Sequence, residues 1–183
     1  MNWNLETEHF VIRLPLADQD GDALFGLLKN PQVGAHLPRL PMFVSVQSLD
    51  ELRRATMRFQ AREAATWLVL RRSDNVDDLA AFQARITLQN INWMLSSARL
   101  QWELADDVKR EELAEMISAV ESFCFDELQL HRLELRMVPE AAEQRANAEA
   151  LGYQYEGCLP AQMEFDERWI DQVLYSRLAT DRV

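Results

Sequence analysis

The chain has 183 residues, 48% of them apolar, and a formal net charge of −11. That is enough chain to bury one ordinary core, and too apolar for a disordered segment. The negative field disfavours nucleic acid backbones and anionic membrane surfaces and suits basic or amine-bearing partners.

The apolar runs are short and broken by charge, so no membrane span is expected. Met1 to Leu16 mixes Glu6, Glu8, His9 and Arg13 among its apolar residues. That is the pattern of neither a signal nor a transit peptide. The two cysteines, Cys124 and Cys158, are too few and too separated for a disulfide framework or a metal cluster, so plain thiols in the cytoplasm are expected and no metal site. There is no repeat or linker, and one domain over 1–183 is expected.

Phe10 to Leu16 alternates as a first strand, with Pro15 near its end. Asp18 and Asp20 are positioned to cap a helix bearing Ala23, Leu24, Leu27 and Leu28, which Pro31 stops. A loop with Gly34, His36, Pro38 and Pro41 follows. Ser48-Leu49-Asp50-Glu51 reads as a capping box for a second helix. Three strands come next: Thr66 to Arg71, Leu79 to Leu88 after a turn at Ser73-Asp74-Asn75, and Arg99 to Leu104. A long helix over 110–128 buries Leu113, Met116, Ile117, Val120, Cys124 and Leu128. Leu133 to Val138 is a strand, Ala141 to Leu151 a helix closed by Gly152, and Tyr153 to Gly157 and Val173 to Leu178 the last two strands. A loop holding Asp166, Glu167 and Trp169 joins these two. Trp93, Trp102 and Trp169 are expected in the core or lining a groove. The class is α+β: a mixed, mostly antiparallel sheet of seven strands with four helices. The unit over 99–138 should form a right-handed parallel crossover.

Four fragments in this order carry a resemblance. Leu5 to Leu14 is similar to an "L-x-T-x-R-L-x-L-R" opening. Phe123 to Arg136 is similar to "Y-A-F-E-x-L-G-L-x-R-I-E-L-R". Leu151 to Gly157 matches "L-G-F-x-x-E-G", and Trp169-Ile170-Asp171 with Leu174-Tyr175-Ser176 matches "W-x-D-x-x-x-Y-S". Together they resemble the GNAT superfamily of N-acetyltransferases, in particular the branch of ribosomal-protein N-terminal acetyltransferases. The resemblance implies transfer of an acetyl group from acetyl-CoA to a primary amine, on a protein N-terminus or a small molecule. It also implies a splayed parallel strand pair whose gap takes the pantetheine arm on the main chain of Trp102, Glu103 and Leu104. The pyrophosphate would sit on the start of the long helix, over Lys109, Arg110, Glu111, Glu112 and Leu113. A homodimer stays open.

The chain departs from that pattern where phosphates bind. The two loop glycines of the family fall at Lys109 and Glu111, where a Cβ now stands between amides and phosphate oxygens. The expected consequence is an anion site filled by the chain's own carboxylates. In the next helix the family's asparagine is Ala141, its serine Gln144 and its tyrosine Ala148, with Arg145 and Asn147 as nearby polar groups. Gln144 and Asn147 are the cofactor candidates there. Glu103 is the candidate proton acceptor and His36 the candidate acceptor-site residue. The rival reading is a catalytically inactive GNAT-fold binding protein that has lost acetyl-CoA.

Overall fold

The computed structural model describes residues 1–72 and 82–182. One sheet of eight strands, in the order β1-β2-β3-β4-β5-β6-β8-β7, carries four helices. The strands are β1 (Leu5–Glu6), β2 (Phe10–Arg13), β3 (Ala65–Arg71), β4 (Phe82–Asn92), β5 (Ser97–Leu104), β6 (Arg132–Met137), β7 (Gln154–Phe165) and β8 (Arg168–Leu178). The helices are α1 (Gly21–Leu28), α2 (Val46–Gln60), α3 (Arg110–Ser122) and α4 (Ala142–Ala150). The expected turn at Ser73-Asp74-Asn75 and the start of the strand at Leu79 lie outside the described residues.

Strand alternation divides the core in two. Trp67 and Val69 join Ile86, Leu100 and Trp102 under α3, whereas Leu68 faces the other way and joins Leu24, Leu28 and Leu52 beneath α1 and α2. The α3 stripe is buried as its spacing dictates, and burial of each large side chain contributes about 2 kcal/mol. A π-type turn over Phe123–Glu127 extends α3 and keeps Cys124 and Leu128 on the buried face. Among the described residues no helix is long and apolar enough to cross a membrane. Cys124 is a buried free thiol and Cys158 an exposed one.

Several expectations need correction. The strand count is eight rather than seven, because Leu5–Glu6 pairs with Val11–Ile12. Ser48 does not cap α2. Its hydroxyl donates to the Gly21 and Ser45 carbonyls, while the Gln47 side chain accepts from the amides of Phe43 and Val44. Asp20 makes no side-chain cap on α1 either; it holds Arg13 through two 2.7 Å bonds and accepts from the Leu16 amide. The segment around Asp166 and Glu167 is a two-residue hairpin turn, both residues at positive φ (52° and 59°), so β7 and β8 run far past the ends read from the sequence. Trp93 and Trp169 are exposed, not core.

Gly152 closes α4 as expected. At φ 87° it donates to the Glu149 carbonyl while Tyr153 donates back to Ala148, the paired bonds of a Schellman end. An added Cβ would meet only ordinary contacts, the nearest at 3.6 Å, so the cost of alanine here is backbone strain alone. Gly152→Ala is expected to lower unfolding free energy by about 1–2 kcal/mol in urea titration; an unchanged midpoint would show that α4 tolerates another ending.

Candidate functional site

The centre of the fold is a parting of two strands. β5 and β6 are parallel and pair at Ser97↔Arg132, Ala98↔Leu133 and Arg99↔Glu134, and no further. Beyond Arg99 the main-chain directions are set by β4. Ala105 donates to the Gln83 carbonyl, so odd-numbered residues of β5 bond to β4. The main-chain groups of Trp102 and Leu104 therefore point into the gap. Buried main-chain groups need partners.

The loop between α1 and α2 supplies one. The Nε2–H of His36 donates to the Trp102 carbonyl at 2.8 Å, and from the far side Val138 donates its amide to the His36 carbonyl at 3.0 Å. A carbonyl can only accept, so Nε2 carries the proton and Nδ1 keeps its lone pair. Burial pulls the His36 pKa below its ordinary value of 6.5, which holds the ring neutral. His36, a candidate substrate residue in the sequence, thus bridges the parted strands.

Glu103 lies beside this bridge and is fully buried. Both its oxygens are taken. Arg39 donates Nε to Oε1 at 2.5 Å, and Arg85 grips the carboxylate through Nε and Nη2. Arg85, itself 6% exposed, also donates to Glu51 at 2.9 Å. Burial alone would push the Glu103 carboxyl up, but Arg85, and after it Arg39, hold it below the usual carboxylate range. Gly34 makes room for this, because a Cβ there would lie 2.7 Å from the Arg39 Nε. Neither arginine was singled out in the sequence. The available signal was Arg85 itself, the one charged residue in the strand Phe82–Asn92.

A cleft of about 250 Å³ opens between the end of β5, the start of α3 and α4, and Leu104, Lys109, Arg110, Leu113, Gln144 and Asn147 line it. Six of the nine cofactor candidates therefore meet in one place. Trp102 lies beneath, its indole N–H donating to Gln144 at 2.9 Å. Arg110 donates to Asn147 at 3.1 Å and ties α3 to α4 across the cleft. His36 lines a neighbouring cleft with Val138 and Gln144.

The two remaining candidates separate. Glu111 is exposed. Glu112 folds back over the helix start, accepting the Lys109 amide at 2.9 Å and pairing with Arg71. The hydrogen bond from Arg71, and then that from Lys109, hold its carboxyl below the usual range. One of the chain's own carboxylates does stand at the start of α3, then: Glu112, on the Lys109 amide. Among the described residues no group of His, Cys, Asp and Glu could hold a metal ion.

Two outcomes follow from this geometry. Glu103→Gln strands two guanidiniums, that of Arg85 being buried, and should cost about 3–5 kcal/mol in chemical denaturation; a loss below about 1 kcal/mol would mean the cluster is solvated. For His36 the unfolded ring gains a proton below about pH 6.5 while the native ring resists it, so its stabilisation is present above that value and lost on acidification. His36→Gln keeps a donor but cannot titrate. Between pH 7.5 and 5.5 the wild type should lose more thermal stability than this variant, as differential scanning fluorimetry would record; equal losses would place the His36 charge in water.

A family model described as an acetyltransferase (GNAT) domain matches residues 10–154. No curated protein matches the chain by sequence. Solved structures do match. A GCN5-related N-acetyltransferase from Brucella melitensis aligns with TM-score 0.84 at 18% identity, over 100% of this chain and 81% of that one. Spermidine N-acetyltransferase from Vibrio cholerae, in complex with CoA and spermine, aligns with TM-score 0.77 at 19% identity, over 96% and 98%. RimJ from Mycobacterium smegmatis, in complex with CoA-disulfide, gives TM-score 0.77 at 20% identity, over 94% and 83%. With the split sheet, the cleft at the start of α3 and a family match over most of its length, this chain belongs to the GNAT acetyltransferase family.

Proposed function

We propose that the protein is an acetyl-CoA-dependent N-acetyltransferase acting on a primary amine, a small molecule or a protein N-terminus, in the cytoplasm. The observation that carries this reading is the gap beyond Arg99↔Glu134, with the main chain of Trp102 and Leu104 turned into it. Acetyl-CoA would supply the acetyl group as a thioester.

The residues present fit that cofactor in two unequal parts. The Trp102 and Leu104 main chain suits an extended pantetheine arm, because it offers strand-like donors and acceptors. The start of α3 suits a diphosphate only through the side chains of Lys109 and Arg110. Its Lys109 amide is bonded to Glu112, and a carboxylate about 4 Å from a phosphate costs about 4 kcal/mol per charge pair at a surface-like dielectric. Cofactor entry then requires His36 to leave the Trp102 carbonyl and Glu112 to release the Lys109 amide while keeping Arg71. The cleft volume, about 250 Å³, falls below the roughly 300–1,000 Å³ usual for small-molecule sites, which accords with such a movement.

Glu103, with both oxygens on arginines, does not serve as a base in this reading. It fixes Arg39, and Arg39 pins the His36 loop by donating also to the Leu40 carbonyl. Once His36 has left the Trp102 carbonyl, its neutral ring keeps one nitrogen lone pair, the acceptor left for an amine proton on this side of the gap.

A second reading is favoured by the same two contacts. If His36 and Glu112 are permanent occupants of the places a cofactor would use, the chain is a GNAT-fold binding protein without catalysis. Calorimetry with acetyl-CoA separates the two. His36→Ala, which frees the Trp102 carbonyl, and Glu112→Gln, which removes one negative charge beside the phosphates, should each tighten binding, the second by about tenfold, and the wild type should acetylate a primary amine in a mass-spectrometric assay. No heat from the wild type or either variant at millimolar acetyl-CoA would sink the enzyme reading.

A further inference from the structure

The face of the sheet that carries Glu103 has more guanidinium than carboxylate in its second half. Arg99 on β5 and Glu134 and Arg136 on β6 meet where the two strands part. Arg132 takes one oxygen of Glu134 at 3.0 Å and Arg136 takes the other at 3.2 Å. Glu156 is held by Arg132 and by the Ser176 hydroxyl. Both Glu134 oxygens are thus engaged elsewhere, and Glu134 acts on Arg99 only through space. The Arg99 side chain makes no hydrogen bond or ion pair among the described residues, and its Nε is buried without a partner. The Arg136 Nε is buried and unpartnered as well.

This is an unusual place for an unpaired cation. The chain has 30 acidic residues against 19 basic ones, so carboxylates were available. Burial, and then the neighbouring Arg136, disfavour the charge on Arg99, and the attraction of Glu134 is too weak to offset them. Two half-buried guanidiniums side by side offer, through their outer nitrogens, the fork geometry that recognises a carboxylate or phosphate. The glutamines beside Arg99 hold each other rather than the arginine, Gln89 donating to Gln101 at 2.7 Å.

We infer that Arg99 and Arg136 form an oxyanion subsite at the apex of the gap, so that the acceptor is an amine carrying its own carboxylate or phosphate. This rests on the acetyl-transfer reading for the amine, though not for the oxyanion. Three residues of extended strand separate Arg99 from Trp102, about 10 Å. An acceptor reaching from the subsite to the parted strands therefore needs a spacer between its two charged ends. Polyamines, with a cation at each end, are disfavoured.

Three probes of one chain length test this: 6-aminohexanoate, 6-aminohexyl phosphate and hexylamine. Calorimetry without cofactor should show the two anionic probes binding and hexylamine not, with the stronger of the two naming the natural group. Arg99→Gln and Arg136→Gln should each weaken the anionic probe at least tenfold. Thermal stability should be unchanged or raised in Arg99→Gln, since a cation with no partner is removed; a structural role predicts the reverse. Arg99-dependent binding with no acetylation of any probe would uphold the subsite and remove the enzyme reading. Acetylation of hexylamine as efficient as that of the anionic probes, unaffected in either variant, would overturn the subsite and leave the enzyme reading standing. Absence of binding by both anionic probes would also overturn it.

Discussion

Everything near the site depends on main-chain hydrogen bonding where β5 leaves β6. A sheet satisfies its amides and carbonyls by pairing, and pairing ends at Arg99↔Glu134. Beyond that point some other group has to meet the Trp102 carbonyl and the Val138 amide. One residue of the α1–α2 loop does both, its ring on one strand and its carbonyl on the other. The loop is shaped by this demand. Gly34 lets Arg39 pass, Arg39 reaches Glu103, and Met42 closes onto the Leu28 carbonyl.

Charge is organised around the same parting. Glu103 and Arg85 form a buried pair that Arg39 and Glu51 extend towards the surface, and each carboxylate oxygen of Glu103 meets a guanidinium. Such a network is rigid because every member is costly to leave alone. At the start of α3 a different solution appears. Glu112 complements the helix dipole and caps the Lys109 amide, and Arg71 on β3 fixes its rotamer. Both clusters place fixed charge beside the end of β5 and the start of α3.

The fold was largely legible in the sequence, because periodicity reports burial directly. The α3 stripe, the alternation of Trp67 and Val69 against Leu68, and the closing Gly152 all follow from spacing and local backbone chemistry. What periodicity could not report was who partners whom. Ser48 looked like a cap because serine followed by glutamate three residues on is a local signal; a tertiary contact with Gly21 outbid it. The carboxylate at the helix start was foreseen as a class of event, but the choice of Glu112 over Glu111 depended on Arg71, 41 residues away in the chain. The hairpin turn at Asp166-Glu167 was missed because neither residue is glycine or asparagine, the usual residues at positive φ. For the site, Leu104, Lys109, Arg110, Leu113, Gln144 and Asn147 line one cleft, while Arg39 and Arg85 come to light only with the strands side by side.

The outermost strand has a consequence for self-association. β7 lies at the sheet margin, and its register with β8 breaks between Leu159 and Met163, where Pro160 has no amide hydrogen and Ala161 sits at φ 47°. An unbroken margin would offer a ladder onto which another molecule could zip, as fibril growth does. Here the ladder lacks rungs near its middle, so two copies that meet along this side must hold each other by side chains rather than by lengthening the sheet.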